Sequence, residues 1–221
     1  MKSKLPRNNA EQKKEFHDSS LFLGMSHVSD MLLLNILWLA LSLLVLPIGV
    51  ASTGAYFVTT KKIVGNDSYI WQDFFKSVKQ NWRMATGANL LFMGAGALLF
   101  FNFSTLDTLG VAFFLQTAVA FQVLIVGLWF YPVLSRFELS FFATLKASFW
   151  LANRHMLTSL LMIACLVGLG FLAFVAPVIV FFMPGIYIYV SSIGIVKVFR
   201  KHWKNFDVPE ATSEQDDAGE V

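Results

Sequence analysis

The sequence predicts an all-α fold: a polytopic helical membrane protein with about five membrane-embedded segments plus two cytoplasmic interfacial amphipathic helices. Three observations predict it. Of 221 residues, 56% are hydrophobic and only 14% are charged, against about 25% charged in a soluble domain. The 17 Lys and Arg fall into four blocks: five before residue 31, five between 59 and 84, three between 135 and 155, and four between 197 and 204. The apolar runs between these blocks match a bilayer core about 30 Å thick, which needs roughly 20 residues of helix.

Residues 1–29 form a polar tail of mixed charge that leads into a short interfacial segment near Leu21. Its basic start, the apolar run after it and Gly49-Val50-Ala51 imitate a cleavable leader. Cleavage there would leave Lys61 and Lys62 outside, so the retained tail is the better reading. Residues 30–204 read as a single helical membrane domain. Residues 205–221, with six acidic residues and no basic ones, read as an acidic disordered tail.

The run 31–60 is uncharged and contains Pro47-Ile48-Gly49. A single crossing would place the tail and its basic residues outside. A bend at Pro47 and Gly49 keeps all basic residues on the cytoplasmic side, and this is the preferred reading. The arms would be about 16 and 12 residues, roughly 24 and 18 Å, so the second is re-entrant or steeply tilted and sheltered by other helices. Ala51 and Ala55 are spaced to admit a close neighbour.

Asn66, Asp67 or Ser68 can cap the next helix. Ile70, Trp71, Phe74, Phe75, Val78 and Trp82 then recur at helical spacing, with Gln72, Asp73, Lys76, Lys79, Gln80 and Arg83 on the other face. Such a helix lies in the interface with its apolar side in the headgroup boundary. Spans are expected over 85–103 and 109–134, the latter closed by Trp129, Tyr131 and Pro132 at an interface position. Phe141-Phe142-Ala143-Thr144-Leu145-Lys146 echoes Phe74-Phe75-Lys76-Ser77-Val78-Lys79 at an offset of 67 residues. The echo predicts the second interfacial helix and a duplicated unit of span, interfacial helix, span. The run 156–182 follows, with Pro177 as a kink. Pro184 and Gly185 are expected at an outer turn, Pro184 opening the last helix. That helix exits to the cytoplasm through Lys197, Arg200, Lys201 and Lys204.

Intramembrane chemistry needs ionisable groups or a nucleophile, and the span centres hold no Asp, Glu, Lys or Arg. HExxH, GxSxG and phosphate-cradling glycine loops are absent from the sequence. No catalytic, cofactor-binding or metal-ligating residue is therefore assigned, no cofactor is implied, and the chain is read as not an enzyme. The lone Cys165 lies in an apolar run and builds no disulfide or zinc site. The basic residues sit where juxtamembrane residues sit, which argues against nucleic acid. Asn35, Asn89, Gln116 and Gln122 read as interhelical hydrogen-bonding groups, and Arg136 with Glu138 as a solvated pair. Partner docking is assigned to Trp71, Phe74, Phe75, Lys76, Lys79, Phe141, Phe142 and Lys146.

Leu34-Asn35-Ile36-Leu37-Trp38, Leu46-Pro47-Ile48-Gly49, Thr53-Gly54-Ala55-Tyr56 and the run Asn66-Asp67-Ser68-Tyr69-Ile70-Trp71-Gln72-Asp73-Phe74-Phe75-Lys76 resemble the YesL-like family of bacterial integral membrane proteins. The similarity extends over residues 20–204 and is most specific over 34–83. The family carries no established activity. Its members are often encoded beside ABC-type carbohydrate uptake systems, so the resemblance implies a sugar permease or another membrane protein as partner. The expected function is a nonenzymatic accessory or regulatory membrane protein; the alternative is a small transporter or channel using the broken first segment.

Overall fold

The computed structural model describes residues 20–43, 47–65, 68–105 and 110–202. All regular structure among them is helical. In chain order the helices are α1 (Ser20–Ser42), α2 (Ile48–Ile63), α3 (Ile70–Thr105), α4 (Val111–Arg136), α5 (Phe141–Arg154), α6 (Met156–Val175), a 3-10 turn at Pro177–Phe181 and α7 (Met183–His202). Helices α3 (Ile70–Ser104), α4 (Val111–Arg136) and α6 (Met156–Val175) are long and apolar enough to cross a membrane. The chain is an all-helical membrane protein. Residues 1–19 and 203–221 of the expected tails and the caps Asn66 and Asp67 lie outside the described residues, whereas residues 20–29, expected to end the polar tail in a separate interfacial segment, continue into α1 as one helix.

The chain reverses between α1 and α2. Trp38 Nε1 donates to Ser52 Oγ at 3.1 Å, and Lys62 pairs with Asp30, so the two helices run side by side in opposite directions. Pro47 is the N-cap of α2, where its missing N–H costs nothing, and its carbonyl accepts from the Ala51 N–H at 2.8 Å. At the other end Gly65 adopts φ +94° and its N–H bonds the Lys62 carbonyl at 3.0 Å, a left-handed stop that glycine adopts without strain. At 16 residues α2 is about 24 Å long, short of the hydrocarbon thickness.

Helix α2 is nevertheless the hub, in contact with α1, α3, α4 and α7. Its small residues allow this. A Cβ on Gly49 would lie 2.6 Å from Tyr131 Cε1 and 2.9 Å from the Ala85 carbonyl oxygen, and one on Gly54 would meet the Phe74 ring at 3.0 Å. Ala51 and Ala55 are fully buried. The hydroxyls of Thr53, Thr59 and Thr60 donate to the carbonyls one turn back, at 2.8, 2.8 and 2.6 Å. These three buried hydroxyls of α2 are thus satisfied within the helix itself.

The first interfacial helix is not a separate element. Residues 70–83 continue into the following span as one helix of 36 residues, about 54 Å long and far more than a bilayer core requires. Its apolar face divides, part of it turning to protein. Phe74, Ser77, Ala85 and Ala88 are buried, and Val78 packs with Phe74 against Gly54 of α2. The space beside Gly54 on α2 takes the Phe74 ring, while Trp71, Phe75 and Trp82 stay exposed.

Polar residues tie the remaining helices together. Asn35 of α1 donates to the Phe181 carbonyl and accepts from the Gly185 N–H at 3.0 Å, satisfying a backbone donor at the start of α7 that has no intrahelical partner. Gln116 Nε2 donates to the Leu99 carbonyl at 3.0 Å, and Tyr131 Oη donates to Asn89 Oδ1 at 3.4 Å. Gln122 Nε2 is buried and finds no partner among the described residues.

Two expectations about α7 and α4 are corrected. Pro184 and Gly185 lie within the first turn of α7, and Gly185 does not form an outer turn. It packs on Asn35, in a cavity of about 90 Å³ shared with Asp30 and Lys62; a Cβ there would come within 3.1 Å of Asn35 Oδ1. Trp129 is not an interface residue. It is fully buried, donating to Ser159 Oγ at 2.9 Å, because Ser159 offers its indole N–H a partner inside the bundle.

Candidate functional site

The Phe-Phe pairs split in the same way in both amphipathic segments. Phe74 is 0% exposed and Phe141 is half-buried against Phe130, with ring centroids 5.7 Å apart. Phe75 and Phe142 point out, at 40% and 79% exposure. Phe74 is therefore removed from the docking set, since Gly54 leaves the space its ring fills. Trp71 is exposed and stacks tilted on Phe75 at 4.9 Å. Lys76, Lys79 and Lys146 are exposed beside these rings.

The two segments are neighbours. Gln80 Nε2 donates to Glu138 Oε1 at 2.7 Å, linking α3 to the connection before α5. Phe141 and Leu145 join Val78 and Met84 around the buried Ala85, Phe130 and Leu134. The structure brings Trp71, Phe75, Lys76 and Lys79 onto one exposed flank of α3 and sets Phe142 and Lys146 on the adjacent helix.

Below this surface lies a polar joint that sequence reasoning missed. Lys61 of α2 pairs with Asp73 of α3 at 2.9 Å, and Ser68 Oγ donates to the same carboxylate at 2.9 Å. Partial burial opposes ionisation of Asp73, but the bonds from Lys61 and Ser68, with the charges of Lys61 and Lys76, outweigh it and lower its pKa. Arg136 does not pair with Glu138. Its Nε donates to Thr60 Oγ1 at 2.6 Å, and its guanidinium sits over the Phe57 ring at 5.5 Å, because α2 passes between it and solvent. No local signal reveals contacts between Thr60 and Arg136, which lie far apart in the chain.

A second feature is a cavity of about 560 Å³ lined by Trp38, Tyr56, Phe92, Leu124, Tyr131 and Tyr187 among others. The polar tips of three of these rings are engaged by neighbours: Trp38 by Ser52, Tyr56 by Ser191 at 3.0 Å, and Tyr131 by Asn89. Apart from the Tyr187 hydroxyl, which lies beside that of Tyr56, what remains facing the space is largely ring and aliphatic surface, suited to an apolar or aromatic guest. The rings come from separate runs, and the sequence signal for them was only the presence of Tyr and Trp in otherwise aliphatic stretches. Among the described residues no group of His, Cys, Asp and Glu is placed to hold a metal ion.

Residues 31–103, covering the second half of α1, all of α2 and α3 through Phe103, match the family described as "Protein of unknown function, DUF624". The chain is also 26% identical over 155 residues to the "Uncharacterized protein YesL" of Bacillus subtilis (strain 168), an alignment covering 66% of this chain and 74% of that protein. No solved structure matches. Both the family and the relative that the chain is similar to are of uncharacterised function.

Proposed function

We propose that this is a nonenzymatic accessory protein that docks a membrane-embedded partner, a permease of an ABC-type carbohydrate uptake system, through the flank formed by residues 70–83 and α5. The observation that carries the reading is the outward set of Trp71, Phe75 and Phe142 beside Lys76, Lys79 and Lys146, held by inward rings that fix its shape. Aromatic residues set in a rigid surface are effective binding anchors. The family resemblance supports the choice of partner. The positive-inside rule supports a cytoplasmic position for this flank and for both termini, since the Lys62–Asp30 and Lys61–Asp73 pairs join the start of the α1–α2 hairpin to it.

The test is affinity capture of the full-length protein in mild detergent from cells grown on inducing sugars. A sugar permease subunit should be recovered in stoichiometric amount, and the triple variant Trp71→Ala, Phe75→Ala, Phe142→Ala should lose most of it. Absence of a permease, or recovery indifferent to the three substitutions, overturns the proposal.

A second reading, a small transporter, is favoured by the 560 Å³ cavity between the helices. Its lining suits an apolar or aromatic solute and not a sugar. Purified protein that moves no such solute across liposomes removes this reading.

A further inference from the structure

A groove of about 530 Å³ runs between α6 and α7, away from the docking flank. The two helices are antiparallel: a Cβ on Gly194 would meet Thr158 Cγ2 at 3.2 Å, and further along Leu166 shares a cavity wall with Met183 and Tyr187. On α7 the stripe Val190, Ile193, Lys197 and Lys201 follows helical spacing, so one face passes from apolar to basic along its length. On α6 the facing wall is Leu157, Thr158, Leu161 and Met162, with His155 at the basic end. Leu157 and Leu161 are 78% and 60% exposed.

Two physical requirements meet in this groove. The first is charge. The chain carries no Asp or Glu between Glu138 and Asp207, and Lys197 and Lys201 have no carboxylate partner among the described residues. The second is depth. From Lys201 to Val190 the stripe is about 16 Å long, close to half of the ~30 Å hydrocarbon core and therefore to one leaflet. Because α6, a helix of 20 residues, is just long enough to cross that core, its start at Met156 lies at headgroup level. The lysines beside it are then at the height of a lipid phosphate, and Leu161 and Ile193 at the height of its acyl chain.

We propose that the α6–α7 groove binds one anionic phospholipid, its phosphate held by Lys197 and Lys201 and one acyl chain lying over Leu161 and Ile193. The acidic tail from Asp207 could answer the lysines, but it would bring few apolar side chains to cover Leu157, Leu161 and Ile193. A phospholipid satisfies both ends of the groove. This site is independent of the docking flank and of the cavity lined by Tyr56 and Tyr187.

Native mass spectrometry of the full-length protein, released from micelles holding equal amounts of phosphatidylglycerol and phosphatidylcholine, tests the proposal. The wild type should retain phosphatidylglycerol preferentially. Basic residues near an anionic surface are strong enough contributors that K197Q/K201Q should reduce this preference on the order of tenfold, while K197R/K201R keeps it. L161Q/I193Q should lower phosphatidylglycerol retention with both lysines intact, its folding checked by melting in phosphatidylcholine alone. Equal retention of the two lipids by the wild type overturns the proposal, as does a preference that survives K197Q/K201Q. Retention unaffected by L161Q/I193Q shows diffuse surface attraction in place of a groove and overturns it too. A preference seen only after truncation following Phe206 assigns the groove to the acidic tail, with the same result.

Discussion

Residues 70–83 and α5 carry nearly the same pattern and end differently. Each has a Phe-Phe pair with the first ring turned inward and the second outward, and each is followed by a run opened by Met. Yet 70–83 runs unbroken into its span within α3, whereas α5 stops at His155, which has φ −115° and ψ 50° before α6 begins. The facing of the rings is thus a property of local periodicity, while continuation is decided by what lies beside each helix. Along α3 the neighbour is α2, whose Gly49 and Gly54 let Ala85 and Phe74 approach over several successive turns and favour a straight course. At the end of α5 the Ser159 hydroxyl accepts from Trp129 and donates to the Ala152 carbonyl at 2.9 Å, bridging the break. The two segments therefore share the facing of the ring pair and differ in the course of the helices.

The largest way to break this comparison is to empty the inward positions. Phe74→Ala should cost about 3–5 kcal/mol, as for a fully buried ring, while Phe141→Ala, half-buried, should cost about half as much. Denaturation in a single detergent would compare them, and equal losses would mean that the two rings are equivalently placed. Next is the α5–α6 joint: Ser159→Ala should cost about 1–3 kcal/mol by leaving the Trp129 indole N–H without its acceptor, together with a change in tryptophan fluorescence.

A smaller effect follows from pH. Because the folded carboxyl of Asp73 titrates below its ordinary value, it contributes stability that is present above the ordinary carboxylate range and is lost as pH falls through the folded value. Acid melts of the wild type should fall more steeply across that window than those of Asp73→Asn, and parallel curves would remove Asp73 from the joint. The smallest effect on stability is expected at the outward rings. Phe75→Ala and Phe142→Ala should each stay within about 0.5 kcal/mol; a larger loss would show that these rings pack against the protein and are not free to dock.

Much of the membrane architecture was legible in the sequence. The apolar runs that became α4 and α6, the reversal near Pro47 and the use of Asn35, Asn89 and Gln116 between helices all follow from length, charge placement and the cost of an unpaired polar group in an apolar setting. The docking face was legible only in part. Period 3.6 identifies which residues share a side, but Phe74 and Phe75 are adjacent in sequence, and only the groove beside Gly54 decides which of them is covered.

By itself the sequence determined an all-helical membrane protein with basic blocks between apolar runs, because those properties are sums over neighbouring residues. Tertiary structure alone decided which helices gather around α2, that Trp129 is core and not interface, and that Phe74 is seated on α2 while Trp71 and Phe75 stay exposed. The reason is physical. A glycine or serine in an apolar run has no preference for what approaches it, and its role is set by the distant ring, carbonyl or indole that comes to occupy the space it leaves.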